Sequence, residues 1–267
     1  MKKIHLALML MLMLSLLVTG CLGTNGKTDQ NQPSQQPSET NDGGQKDNSQ
    51  GTYPDEIAAW LETFKPIFVA DSKVIGNETF LMVSWGEKST GGYDVNIKEI
   101  KETAEKITVL VEFTEPEPGA MVTQALTYPN AVEVLDKATD KDIEFTATDP
   151  NIFIPHLYGY DAVTGGFEKR NDYIAVTEFK ATPEQLHVSG IARAFEGGIS
   201  YALLDSEGET LDTGHIMTAA GAPNWGGFNL DYPAPPLGQG DKLQLFEASA
   251  KDGSKTHILE FNLTPAK

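Results

Sequence analysis

Residues 173–205, YIAVTEFKATPEQLHVSGIARAFEGGISYALLD, decide the fold. Short runs of β-branched and aromatic residues alternate here with Pro, Gly and charged residues. This pattern is typical of strands in an antiparallel all-β protein. It continues to the C-terminus and predicts strands at 173–180, 185–192, 200–205, 210–218, 227–232, 241–249 and 256–263. About seven short strands in roughly 95 residues indicate an immunoglobulin-like sandwich.

A second group of short strands precedes this block. It predicts strands at 67–75, 79–85, 93–99, 107–114, 122–128 and 143–148, with a glycine-containing turn at 86–92. Before it, Ile57, Trp60, Leu61 and Phe64 recur at the spacing of one helix face, and Pro66 ends that helix.

The predicted fold class is therefore mainly all-β. We expect two antiparallel β modules, of which the C-terminal one is an immunoglobulin-like sandwich, and one short N-terminal helix. The predicted organisation is a helix and β domain at 53–148, an irregular connector at 149–171 and the sandwich at 172–264.

The N-terminus has the features of a secretory signal peptide. Lys2 and Lys3 precede an apolar run at 4–18 that is too short to span a membrane comfortably. The run ends in LVTGC at 17–21, which resembles the bacterial lipobox. The resemblance implies cleavage after residue 20 and lipid attachment to Cys21, the only cysteine. We expect a lipid-anchored protein on the extracytoplasmic face of the cell membrane.

Residues 21–52 are predicted to be the lipid anchor and a disordered tether. The stretch 24–52 contains no aromatic residue and no Leu, Ile, Val or Met, so it cannot bury enough apolar surface to fold. Random-coil scaling gives it a mean span of roughly 30 Å, which keeps the folded part near the membrane and the cell wall.

Strong negative charge excludes one class of partner. The formal net charge is −18, and removal of Lys2 and Lys3 with the signal peptide lowers it to −20. Such a surface repels nucleic acid, so no nucleic-acid partner is expected.

Two motifs resemble a known family. Residues 85–93, WGEKSTGGY, and 122–129, VTQALTYP, are similar to the C-terminal domain of the protease-complex-associated polypeptide (PrcB-like) family. The resemblance spans about 77–136. In that family the named member accompanies and stabilises a surface protease, so the resemblance implies protein binding rather than catalysis.

A second resemblance covers about residues 172–264. Residues 188–196, VSGIARAFE, and 214–228, GHIMTAAGAPNWGGF, are similar to the immunoglobulin-like domain of bacterial spore germination proteins of the GerM type. That family occurs in secreted and lipid-anchored proteins, often beside other extracytoplasmic modules.

Catalytic and metal chemistry find little support in the sequence. There is no Gly-x-Ser-x-Gly elbow and no phosphate-binding glycine loop. His156, His187, His215 and His257 lie far apart without the spacing of a metal site. We expect no catalytic residues, no cofactor and no metal, although a carboxylate pair acting on glycosides stays open.

Two loops are candidates for partner binding. One comprises Thr90, Gly91, Gly92 and Tyr93, and the other comprises Pro223, Asn224, Trp225 and Gly226. The alternative is structural in both cases, with Tyr93 opening a strand and Trp225 filling the core of the sandwich.

The leading hypothesis is a non-catalytic interaction protein, anchored to the membrane through Cys21, that scaffolds or stabilises a surface protein complex. The complex is expected to contain an extracytoplasmic protein partner and to relate to a protease or to sporulation and germination. The alternative is a binder of peptidoglycan or another cell-wall polymer, and a wall hydrolase is a third, weaker hypothesis.

Overall fold

A computed structural model describes residues 53–161 and 165–263. All described residues belong to one compact unit. Within the described ranges, no helix has the length and apolar character that crossing a membrane requires.

The one α-helix within the described ranges, α1 (Asp55–Phe64), begins directly after Pro54. Two acidic residues in its first turn face the positive end of the helix dipole. Ile57, Trp60 and Phe64 are buried on one face, as the spacing predicts. The predicted helix is confirmed.

Six strands form the N-terminal module: β1 (Phe68–Ile75), β2 (Glu78–Trp85), β3 (Asp94–Glu102), β4 (Lys106–Thr114), β5 (Asn130–Leu135) and β6 (Asp142–Ala147). They build two three-stranded sheets, ordered β1-β2-β5 and β3-β4-β6. Each pair is antiparallel except β4 and β6, which are parallel.

Strand β2 is buried on both faces. Leu81 and Val83 face the core between the two small sheets, whereas Phe80 and Met82 face a second core on the other side. Successive side chains of a strand point in opposite directions, so one apolar run serves both cores.

The C-terminal module is a two-sheet sandwich. Its strands are β7 (Leu157–Tyr158), β8 (Lys169–Arg170), β9 (Ile174–Ala181), β10 (Gln185–Ala192), β11 (Gly198–Leu204), β12 (Thr210–Met217), β13 (Trp225–Pro233), β14 (Lys242–Ala248) and β15 (Lys255–Asn262). A five-stranded sheet, β7-β13-β10-β9-β8, packs on a four-stranded sheet, β12-β11-β14-β15. Apolar side chains from both sheets form the core without any disulfide, so the predicted fold class is confirmed.

A shared core joins the two modules. Trp60 and Phe64 of α1 pack together with β1 and β2 on one side, and with Ala175, Ile191 and Trp225 of the five-stranded sheet on the other. The helix therefore lies between a sheet of each module, and both modules bury apolar surface against it.

One predicted strand is wrong. Residues 122–128 form a loop in which only Thr127 makes a bridge, to Lys88. The edge of β2 pairs instead with β5, which brings the buried Ala131 opposite Val83. Strand propensity at 122–128 is thus overridden by the better burial that 130–135 offers.

The stretch 149–171, predicted to be irregular, contains two short strands. β7 pairs in parallel with β13, and β8 pairs with β9, so both add to the five-stranded sheet at its two edges. Two residues are too few for alternation to signal a strand in sequence.

Candidate functional site

The two motif segments of the N-terminal module lie against each other. Lys88 and Thr127 exchange backbone hydrogen bonds of 2.9 and 3.0 Å. The backbone N–H of Gly91 donates to the carbonyl of Thr123 at 2.8 Å, and the Thr127 hydroxyl donates to the carbonyl of Thr90 at 2.7 Å. We call this pair of loops, residues 86–93 and 115–129, the loop platform.

Gly92 is required where the two loops touch. Its φ is +89°, a conformation that L side chains rarely adopt. A Cβ atom here would lie 2.8 Å from Pro116 and 2.9 Å from Val122. The glycine therefore permits the close approach that holds the platform together.

An aromatic cluster with a lysine supports the platform. The rings of Trp85 and Tyr93 meet edge to face at 5.5 Å, and Trp85 also contacts Phe113 at 5.0 Å. The Lys88 ammonium lies 4.1 Å from the Trp85 ring centre and 5.3 Å from that of Tyr93. Partial burial lowers the pKa of Lys88, while Glu115 opposes this shift.

The outer side of the platform exposes apolar side chains. Met121 is fully exposed and Leu126 is 60% exposed. Large apolar side chains exposed on an ordered loop are candidates for contact with a protein partner. Glu115 and Glu117 are exposed on the same loop.

Two family models match separate parts of the chain. Residues 79–136 match the family model described as PrcB C-terminal. Residues 167–254 match the family described as the immunoglobulin-like domain of bacterial spore germination. Both resemblances inferred from the sequence are confirmed. No curated protein and no solved structure matches the chain.

The loop platform lies within the PrcB C-terminal match, which contains Thr90, Gly91, Gly92 and Tyr93. Thr90, Gly91 and Tyr93 are partly buried, and Gly92 is exposed. The first predicted set thus lies in one of the two loops of the platform. The two loops of the platform also carry Lys88, Met121 and Leu126. Lys88 and Leu126 lie in the sequence motifs, which did not distinguish their roles.

The second predicted set does not form such a surface. Trp225 is 2% exposed, and its indole N–H donates to the carbonyl of Phe68 at 3.0 Å. Gly226 is buried, and a Cβ there would lie 2.3 Å from the backbone nitrogen of Ala220. Trp225 belongs to the junction of the modules, and Gly226 packs against Ala219 and Ala220 within the sandwich, so the interpretation of a recognition edge at these two residues is corrected.

Asn224 also acts at this junction. Its side-chain oxygen accepts a hydrogen bond of 2.9 Å from the backbone N–H of His156. Pro223 is exposed and follows a cis peptide bond. Only Pro223 of this set is left fully on the surface. Cys21 lies outside the described residues.

A groove that the sequence did not reveal runs between β1 and β6 and ends at β7. Its volume is about 460 Å³. The residues that line it are Ala70, Asp71, Ser72, Asp140, Lys141, Asp142, Ile143, Phe145, His156, Leu157 and Tyr158. We call it the acidic groove.

Two ionisable groups of the acidic groove have shifted pKa values. Burial raises the pKa of Asp71 to about 6, although the Ser72 backbone N–H, Lys73 and the Trp60 indole oppose the shift. Burial lowers the pKa of His156, against a hydrogen bond from its ring to the Phe145 carbonyl. Shifted groups in a cleft are typical of functional sites. They come from separate segments, and no spacing in the sequence connects them.

The described ranges, 53–161 and 165–263, contain no cluster of metal-binding side chains. No group of three or more His, Cys, Asp or Glu side chains in these ranges could hold an ion.

Proposed function

We propose that the chain is a membrane-anchored, extracytoplasmic interaction protein without catalytic activity. It binds a protein partner through the loop platform and so scaffolds or stabilises a surface protein complex. The two matched families point to a protein-interaction or germination-related role. The observation that carries the proposal is the exposure of Met121 and Leu126 on a loop that hydrogen bonds hold in place.

The platform is suited to binding because it is ordered before a partner arrives. Hydrogen bonds at Gly91, Thr90 and Thr127 fix the loop, so a complex would lose little chain entropy there. Burial of the Met121 and Leu126 side chains stabilises the complex, and the exposed Glu115 and Glu117 on the same loop favour a partner with basic groups.

Site-specific photo-crosslinking in cells tests the platform. A photoreactive amino acid replaces Met121 in the full-length protein, and adducts are identified by mass spectrometry. The matched control replaces Met217, which is 73% exposed on β12 of the sandwich. We expect one reproducible protein adduct from position 121 and none of that protein from position 217.

Two outcomes would reject this proposal. Identical protein adducts from both positions would mean that contacts are unspecific. Adducts with wall fragments alone at position 121 would favour the alternative, a binder of peptidoglycan or another wall polymer.

Anchoring has its own test. Cells are fed an alkyne-bearing fatty acid, and labelling of the wild-type protein is compared with that of Cys21→Ser. We expect label on the wild type and none on the variant. Equal labelling of the two proteins, or no label on either, would contradict lipid attachment at Cys21.

A further inference from the structure

The acidic groove contains an excess of negative charge. Asp140 and Asp142 line it with exposed side chains, and the only lysine of the lining is Lys141. The carboxyl of Asp71, which also lines the groove, accepts hydrogen bonds from the Trp60 indole and the Ser72 backbone N–H. The Lys141 ammonium already contacts a Glu102 oxygen at 2.7 Å and the Thr103 carbonyl at 2.6 Å. Its charge is therefore compensated outside the groove.

The groove also has an aromatic wall. The rings of His156 and Tyr158 are nearly parallel, at 15° and 6.1 Å between centres, and His156 meets Phe145 edge to face at 5.5 Å. Tyr158 is 46% exposed, so part of its side chain is accessible. Aromatic faces attract cations, and they add to the attraction of nearby carboxylates.

Aliphatic side chains complete the lining. Ala70, Ile143 and Leu157 come from three different strands and border the same space. A volume of about 460 Å³ is in the range of small-molecule sites. The combination suits a ligand that has a cationic head on an apolar stem.

The backbone around the groove is held from both modules. Ala70 donates its N–H to the Pro155 carbonyl at 2.8 Å, and Trp225 donates its own to the His156 carbonyl at 2.9 Å. The aromatic wall is therefore fixed between β1 and β13, and the groove exists before a ligand enters it.

We propose that the acidic groove binds an alkylammonium or guanidinium group, with Asp140 and Asp142 supplying the negative charge and Tyr158 covering the cation. This group is found on lysine and arginine side chains and on free small amines. The proposal does not depend on the loop platform, because the two surfaces share no residue.

Calorimetric titration of the full-length protein in detergent micelles tests the site. The probes are Nα-acetyl-lysine methylamide, its Nε-acetylated form, which has no charge, and cadaverine. We expect saturable binding of the charged lysine probe and at least about tenfold weaker binding of the acetylated form. Tighter binding of the lysine probe than of cadaverine assigns the groove to polypeptide side chains, and the reverse assigns it to free amines.

Single substitutions test whether the probes bind in the acidic groove. Asp142→Asn and Tyr158→Leu each remove one recognition element, and each should weaken the charged probe at least about threefold. Glu207→Gln removes a negative charge from the exposed hairpin turn of the sandwich and should leave affinity unchanged. Equal affinity for the charged and acetylated probes, equal affinity of all variants, or no saturable binding at about 10 mM probe would overturn the proposal.

Discussion

At the scale of single residues, the burial of Trp225 indicates a structural role rather than a binding role. Its side chain is buried among both modules and donates a hydrogen bond to Phe68. Trp225→Ala should lower the free energy of unfolding by about 3–5 kcal/mol, through lost burial and a cavity. Urea denaturation measures this.

Phe195→Ala is the control for this variant, because Phe195 is 62% exposed. It should change stability by less than about 1 kcal/mol. Similar small effects of the two substitutions would show that Trp225 is not part of the core.

The raised pKa of Asp71 predicts how the free energy of unfolding changes with pH. Its carboxyl has a folded pKa of about 6, above the ordinary value of 3.8. Between these values the folded state holds more protons than the unfolded state, so stability falls as pH rises through this window, by up to about 3 kcal/mol. Asp71→Asn should remove this fall, as urea denaturation from pH 3.5 to 7.5 would show.

His156 contributes with the opposite sign. Its folded pKa is below the ordinary value of 6.5, so its contribution to stability is lost as pH falls below 6.5. Both proteins contain His156, so subtracting the free energy of unfolding of Asp71→Asn from that of the wild type removes the His156 contribution. A variant with the same slope as the wild type between pH 4 and 6 would contradict the buried carboxyl.

At the scale of elements, α1 packs between the two modules and contacts both. Ala58 lies on its exposed face, so Ala58→Gly changes helix propensity without touching the core. It should lower the stability of the described unit by about 1 kcal/mol. Ala250→Gly, in an exposed turn, is the control and should have a smaller effect. Equal effects of the two substitutions would contradict a cost of lost helix propensity in α1.

The elements also show what the sequence could predict. The i, i+3, i+4, i+7 spacing from Ile57 to Phe64 identifies α1, and the long strands follow from their β-branched runs. β5 was missed because its advantage is tertiary, in the burial of Ala131 beside β2. Local propensity contains no such information.

The candidate sites, like the strands, are predictable from the sequence only where they depend on a local segment. Motif resemblance identified Thr90 to Tyr93, since their chemistry lies in one continuous segment. The placement of Lys88 beside the Trp85 and Tyr93 rings depends on how the loop folds, and the acidic groove assembles Asp71, Asp142 and His156 from separate segments. Their proximity is a property of the topology alone.

At the scale of the whole molecule, the shared core predicts cooperative unfolding. Separating the modules would expose Trp60, Phe64 and Trp225 to water. The apolar surface between the modules therefore favours a single transition for the described unit, with the same midpoint by fluorescence and by far-ultraviolet circular dichroism. Two resolved transitions in a calorimetric scan would contradict a shared core.

The central claim is that the loop platform binds a protein partner. The most direct measurement is co-purification of that partner from membranes with two double variants of the full-length protein. Met121→Ser with Leu126→Ser removes the exposed apolar side chains of the platform, whereas Leu211→Ser with Met217→Ser removes two exposed ones from β12. Equal urea midpoints would establish that both variants are folded.

We predict that the platform variant recovers at least about tenfold less partner than the wild type and that the β12 variant recovers the same amount. Full recovery by the platform variant, or equal loss from both, would contradict the account.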